Sequence, residues 1–473
     1  MATAGGAVAV AQRGDDRRIR HRADVAAGIL EHAKRLRWPA ENLAQERQEK
    51  LRQLLQWAGQ RSPFHAERLW RVDTDSFTEA DLPSLPVMTK DDLMSEFSWV
   101  VTDPRLSLDV VENHVAHVDD EPYLLERFRA VTSSGSGGRR GVFVYDWDEW
   151  TTLALMQSRS RLGTADQEPR PEGRATVSLF AGDGAHLSKV MRTFLAPPGD
   201  PVHHLPVTLP VAKVVQGLND VQPQLLMGYP SALDLMVREA HEGRLRVAPR
   251  FVESGGELLI DKTRRAVRDL WGVEIDDAWA VVEGAYAFPC PAGRALHLPD
   301  DLVIIEPVDA QGRPVAAGEP AAKLLLTNLF NRTQPLIRFE IADGCTVLDD
   351  VCACGSAHRR ITDLTGRADH VFRFDDDVVV HPMVLRLALD DERHVLEYQV
   401  RQTANGVSVK VVTDRDPDLH SIQEAVAAAL GRAGLASPVV TVEAVDRLER
   451  LAAGKLRQFI PRLGRQDGDG PRR

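Results

Sequence analysis

The chain has 473 residues, 43% of them hydrophobic and 27% charged, and carries a net charge of −11. That length exceeds what one core usually serves, so two or more domains are expected in an ordinary globular protein. The acidic balance, with no basic aromatic-studded surface, excludes a general nucleic-acid binder, and the lack of an apolar run of about eighteen residues argues against a membrane span.

Taken in order, residues 1–18 are polar, with Gly and Arg, and are expected to be a disordered tail, as are residues 464–473. The N-terminus has no basic start followed by a firm apolar stretch, so no secretory signal is expected. Four cysteines in so long a chain make no disulfide framework, which fits a cytoplasmic protein. Over residues 40–59, Leu51, Leu54, Leu55 and Ala58 follow an i, i+3, i+4, i+7 pattern, predicting an amphipathic helix. In Leu85-Pro86-Val87-Met88-Thr89-Lys90, a proline-marked turn leads to Thr89 as the cap of a short helix.

Next comes Val131-Thr132-Ser133-Ser134-Gly135-Ser136-Gly137-Gly138-Arg139-Arg140-Gly141, with four glycines and four hydroxyl residues between two extended segments. Small side chains let backbone amides turn inward around phosphates, and an arginine fork suits phosphate oxygens. Neither the Gly-Lys-Ser/Thr ending nor the third glycine of a dinucleotide fingerprint is present, and a Ser/Gly run alone is as readily a linker. Beyond it, a helix over 151–162 precedes apolar runs at 175–180, 225–227, 251–252 and 278–282. These alternate with helices over 189–195, 211–217, 232–242 and 261–271, which indicates mixed or parallel sheets covered by helices. From Asp301 the texture turns to strands and turns. After Gly366-Arg367-Ala368-Asp369 about a hundred residues remain, enough for a small domain, and Asn405-Gly406 there marks a hairpin.

Further stretches stand with the Ser/Gly loop: Ser254-Gly255-Gly256-Glu257; a strand ending in Trp279-Ala280-Val281-Val282-Glu283; Arg338-Phe339-Glu340-Ile341-Ala342-Asp343-Gly344; the Gly366–Asp369 turn; and Gly454-Lys455. In this order and spacing they resemble the adenylate-forming superfamily, and within it the phenylacetate–CoA ligase family. Ser62-Pro63-Phe64-His65 and the Leu-Pro-Val-x-Thr-Lys segment look like that family too. Any one motif is weak; the ordered set, over residues 40–461, is strong.

The resemblance implies an α/β fold: a large N-terminal body of helix-covered mixed β-sheets plus a small α+β C-terminal cap. It sets an adenylation domain at 19–365, a hinge at 366–369 and a mobile domain at 370–463. It also implies two half-reactions, in which a carboxylate attacks the α-phosphorus of MgATP and a thiol, usually coenzyme A, then displaces AMP. Because the nucleophile is already charged, catalysis is mostly positioning and charge neutralisation. Ser133, Ser134, Gly135, Ser136, Gly137, Gly138 and Arg139 would hold the phosphates. Glu283 would anchor Mg²⁺, Asp343 the ribose, and Lys455 would bridge carboxylate and α-phosphate. Gly255 and Gly256 would lie against the adenine or the acyl group, with Glu257, Trp279 and Arg367 also at the nucleotide and Asp369 as the pivot. The acyl site would be lined by His186, Tyr229, Ala285 and Tyr286, with Phe288 close by.

Each residue also has a plain structural reading: Glu283 as a strand-end ion pair, Asp343-Gly344 as a turn, the aromatics as core, and His186 as a hydrogen-bonded histidine. The chain departs from the family where Val282 replaces a Ser or Thr, a lost hydrogen bond worth about 0.5–1.5 kcal/mol. It departs again where Arg139-Arg140 replace Lys-Pro and Trp279-Ala280 replace Tyr-Gly. Some relatives carry a structural zinc in this region. Cys290, His297, Cys352 and Cys354 would complete such a site, Cys345 is an alternative ligand, and reduced loop thiols are the plain reading. The expected activity is AMP-forming activation of an acid, an aromatic one by analogy, with transfer to coenzyme A. The alternatives are transfer to an amine or carrier protein, or a catalytically silent binding protein. A homodimer is expected, with no nucleic-acid or membrane partner.

Overall fold

The computed structural model describes residues 4–118, 122–133, 140–163, 175–180, 184–195, 202–365, 372–374, 378–390, 392, 394–413, 415, 417–448 and 458–462. Apolar runs with all residues buried, Thr176–Leu179 and Leu225–Gly228, form neighbouring parallel strands with helices on their faces. Strands covered on both faces are buried so completely, and here small Thr176 and Ser178 share one face of the first. They belong to a ten-stranded sheet in the order Pro320–Ala321, Gly344–Leu348, Arg360–Thr365, Leu296–His297, Ala285–Pro289, Ile275–Val281, Phe251–Gly255, Leu225–Gly228, Thr176–Leu179 and Val202–His204. Pairing is parallel from Val202–His204 to Ile275–Val281, then antiparallel from the hairpin Ile275–Val281/Ala285–Pro289 outward. Glu283 stands in that hairpin's turn, where the sheet changes direction.

A three-stranded antiparallel sheet of Val303–Val308, Lys323–Asn328 and Phe339–Ile341 lies beside it, as does the pair Arg129–Thr132/Val142–Tyr145. One apolar core runs beneath both, from Met88, Phe97 and Val131 to Trp150, Trp279 and Phe339. A second core lies under the parallel strands, around Leu218, Leu226, Leu233 and Val267. Towards the C-terminus a four-stranded sheet, in the order Val439–Ala444, Gly406–Thr413, Val395–Gln402 and Phe459–Ile460, carries helices Pro382–Asp390 and Leu419–Arg432 over its own core of Val400, Val409, Val426 and Leu430. The expected α/β architecture, a large mixed-sheet body with a small α+β unit after it, is the one observed. Asn405-Gly406 does close the hairpin of Val395–Gln402 with Gly406–Thr413.

One expectation is modified: within the expected N-terminal tail, residues 4–18 belong to a helix that runs from Ala4 to Lys34. Its charged residues mask a buried anchor, His21. The His21 ring stacks on Trp147 at 3.9 Å and bonds the Tyr123 hydroxyl at 3.1 Å and the Trp147 carbonyl at 2.9 Å. Burial lowers its pKa to about 4, so it packs as a neutral ring. Residues 366–369 and 464–473, the expected hinge and C-terminal tail, lie outside the described residues. No helix among the described residues is long and apolar enough to cross a membrane.

Candidate functional site

The site builds up around the Ile275–Val281/Ala285–Pro289 hairpin. Its turn is tight: Gly284 has φ +101°, and a Cβ there would lie 2.2 Å from the Asn328 Nδ2. That amide nitrogen donates to the Glu283 carbonyl at 2.9 Å, while the Tyr145 hydroxyl donates to the Val282 carbonyl at 2.6 Å. The turn backbone is therefore held from two sides, and the Glu283 side chain, 7% exposed, is fixed by it. Burial raises the Glu283 pKa; Lys90 works against that rise and Asp343 adds to it. A hydrogen bond from its own backbone also acts against the rise. A buried carboxylate with a second one near it is a cation-seeking arrangement.

Lys90 is a residue that sequence reasoning read only as part of a helix start and of the Leu-Pro-Val-x-Thr-Lys segment, with no role at the site. Thr89 caps the helix as expected, and Asp92 completes a capping box, with Thr89 N donating to Asp92 Oδ2 at 2.7 Å and Asp92 N to Thr89 Oγ1 at 3.1 Å. Met88 is threaded against Phe339–Ile341 by hydrogen bonds from Met88 N to the Arg338 carbonyl and from Glu340 N to the Met88 carbonyl. These fix Lys90 so that its Nζ points to Ser133 Oγ at 3.5 Å. Ser133 Oγ also accepts from Gly141 N at 2.8 Å, and Ser133 N donates to the Gly141 carbonyl at 2.9 Å, closing the neck of the Ser/Gly loop. Ser134, Gly135, Ser136, Gly137, Gly138 and Arg139 lie outside the described residues, as do Arg367, Asp369 and Lys455.

Other expected residues converge on the same edge. Trp279 Nε1 donates to Asp343 Oδ2 at 2.9 Å, so Trp279, 6% exposed, orients the carboxylate from within the core. Gly255 pairs with Ala278 across the sheet, and Gly256, at φ +79°, lets the Tyr229 ring approach: a Cβ would sit 2.9 Å from its Cε1. Ala285 is buried opposite Val281 and Tyr286 is half-buried opposite Ala280. His186 bridges Thr132, and its Nδ1 bonds Ser188 Oγ at 2.8 Å. Burial, then the nearby Arg386 and Arg140, lowers its pKa to about 4, leaving a neutral imidazole beside the loop.

Glu257 turns inward: it accepts from Ser231 N at 3.1 Å and meets His381 Nε2 at 3.2 Å. Burial alone would raise its pKa, but the His381 contact and the Ser231 bonds outweigh it and hold the carboxyl low. His381 was missed by sequence reasoning altogether, since nothing in Val380-His381-Pro382 marks a partner some 150 residues away. Phe288 stacks on His297 at 5.6 Å.

The Cys/His set comes together. The ligand atoms of Cys290, His297, Cys352 and Cys354 all lie within 4.8 Å of one another, with Cys290 Sγ 3.3 Å from Cys352 Sγ and His297 Nε2 3.2 Å from Cys354 Sγ. Tetrahedral zinc with sulfur ligands at about 2.3 Å spaces its donors by roughly 3.8 Å, so the set has the right scale. His297 Nδ1 bonds the His358 carbonyl at 3.0 Å, which directs Nε2 to the thiols. Burial pushes the Cys290 thiol up to about 12. Cys345 is not part of the group: it lies in strand Gly344–Leu348, buried in the main core.

No family model matches the chain. A phenylacetate-coenzyme A ligase of Thermus thermophilus is 22% identical over 459 residues, spanning 89% of this chain and 97% of that protein. Among solved structures, a 2-hydroxyisobutyryl-CoA ligase in complex with 2-HIB-AMP and CoA in the thioesterification state matches with a TM-score of 0.59 at 18% identity, covering 90% of this chain and 91% of that one. The same ligase in a postadenylation state matches with a TM-score of 0.57 at 18% identity, covering 91% and 92%. The fold is that of these ligases along nearly the whole length of both chains.

Proposed function

We infer that this chain is an AMP-forming ligase of the adenylate-forming superfamily, of phenylacetate–CoA ligase type, and propose that it joins a carboxylic acid to coenzyme A through an acyl-adenylate. In the first step a carboxylate oxygen bonds to the α-phosphorus of ATP and the α–β phosphoanhydride breaks, releasing pyrophosphate. In the second a thiolate sulfur bonds to the acyl carbon and AMP leaves with the bonding pair. The observation that carries this reading is the buried Glu283, fixed in a rigid turn between Lys90 and Asp343 beside the neck of the Ser/Gly loop.

In this reading Glu283 would hold Mg²⁺, which when bound would neutralise charge on phosphate oxygens. Lys90 adds a fixed positive charge at the loop neck, and residues 133–139 line the phosphates with amides and hydroxyls. Asp343, oriented by Trp279, accepts from ribose hydroxyls. Lys455 supplies the mobile ammonium of the first step, and residues 370–463 pivot about Asp369 between steps. Tyr229, Gly255, Tyr286 and His186 border the acid. The Cys/His set would hold a structural Zn²⁺ through three thiolates and one imidazole. The protein would work in the cytoplasm. Pyrophosphate release from MgATP over a panel of aryl and arylacetic acids, with and without coenzyme A, tests the reading. Release accompanied by CoA-thioester is expected. Release halting at the adenylate until an amine or carrier is supplied would move the acceptor, and no release with any acid would overturn the enzyme.

A further inference from the structure

The residue with the most specific contacts outside the assigned roles is His381. It precedes helix Pro382–Asp390, which belongs to the C-terminal α+β unit. Yet its ring lies among three residues of the body. Its Nε2 is 2.9 Å from Ser231 Oγ and 3.2 Å from Glu257 Oε1, and its plane is inclined only 17° to the Tyr229 ring at 5.4 Å. Ser231 N donates to the other Glu257 oxygen at 3.1 Å, so serine, glutamate and histidine form a closed triangle. It is 6% exposed, so these bonds form out of water, where charge-assisted pairs are strong.

The helix behind it is seated as well. Leu387 packs against the body core around Leu226, Tyr229 and Met236, and the Arg386 charge is felt at the His186 ring. Tyr229 thus meets Gly256 at a ring edge and stacks on His381. Both motifs that border the acid and the adenine, Gly228–Ser231 and Ser254–Glu257, end on one imidazole carried by the other unit.

We propose that His381 is a positioning residue, a latch through which the docked C-terminal unit orders Tyr229, Ser231 and Glu257 for one half-reaction and releases them for the other. This rests on the ligase reading above. It adds that coupling between cap position and pocket order runs through this side chain, with no atom of His381 touching reacting groups.

Two variants test it: His381→Phe keeps the stacked ring and loses the hydrogen bonds, and His381→Ala loses both. Each half-reaction is measured separately, as pyrophosphate release without thiol and as thioester formation from supplied acyl-adenylate. The expected result is a change of at least tenfold in the ratio of the two rates. In a double-mutant cycle the Ser231→Ala and His381→Phe losses should be non-additive. Equal loss in both steps, or none, would overturn the proposal.

A readout independent of chemistry separates it from the ligase reading. Amide hydrogen exchange over residues 384–389 should quicken at least tenfold in His381→Ala while the Gly406–Thr413 strand keeps its protection. If the wild type turns over no acid, the ligase reading fails and this exchange measurement still decides the latch. Unchanged exchange over 384–389 would sink it.

Discussion

At the scale of single residues, the candidate chemistry depends on a few side chains whose surroundings leave them little choice. Glu283→Gln keeps the shape and removes the charge that Lys90 and a cation would share. The Mg²⁺ concentration for half-maximal pyrophosphate release should rise at least tenfold, and an unchanged requirement would count against its role. Lys455→Ala should lose adenylate formation by 100-fold or more yet retain thioester formation from supplied adenylate; parallel loss of both steps would deny it a step-specific role. Gly284→Ala meets both a left-handed backbone and the Asn328 amide. Such strain costs about 1–3 kcal/mol, readable as a lower urea midpoint. A midpoint unchanged from wild type would mean that the turn relaxes freely. Glu283 stood out only within the ordered set of motifs, since a carboxylate closing an apolar strand is by itself as readily an ion pair; Lys90 and His381 did not stand out, because their partners are remote in sequence.

At the scale of elements, alternation of apolar runs and helical stretches announced the helix-covered sheet. Asn405-Gly406 announced its hairpin as a turn-forming pair, and the connection between Gln402 and Val407 runs over residues 403–406, closed by Thr403 N donating to the Gly406 carbonyl. The first helix was invisible because its many charges hide the one histidine that anchors it. The Cys/His group was legible as a set, since Cys352-x-Cys354 advertises a thiolate pair, but choosing Cys290 over Cys345 needed the strand register. Purified protein should contain one zinc, measured by plasma emission, and a strong chelator at elevated temperature should lower the melting temperature by at least 5 °C. Metal-free protein with four readily titrating thiols and the same melting temperature would remove the metal. Cys345→Ser should leave metal content unaltered.

At the scale of the molecule, a buried ion pair ties the helix Trp147–Gly163 to the segment that leads into strand Val303–Val308. Arg159 and Asp301 are fully buried and doubly hydrogen-bonded, each bond 2.6 Å, with Arg35 at 3.7 Å from the same aspartate. Burial alone would raise the Asp301 pKa, but the Arg159 charge and bonds prevail and hold it well below the usual carboxylate range. A lowered folded-state pKa contributes stability that is complete above the unfolded value, about 3.8, and is lost as pH falls towards the folded value. Urea midpoints should therefore hold steady at neutral pH and decline below about pH 5. Asp301→Asn, which strands the guanidinium, should cost about 3–5 kcal/mol at neutral pH and flatten that acid limb; an acid limb as steep as wild type would assign the loss to other carboxylates.

The strand Ala285–Pro289 begins two residues after Glu283 and delivers Cys290 at its far end, a rod of roughly 17 Å at strand rise. Whatever clasps the four sulfur and nitrogen donors also moors the foot of the arm on which Glu283 rides. Peroxide damage to those thiols would then slacken the Glu283 carboxylate from a distance, so oxidative injury at the knuckle would be felt as a weakening of the nucleotide hold proposed above.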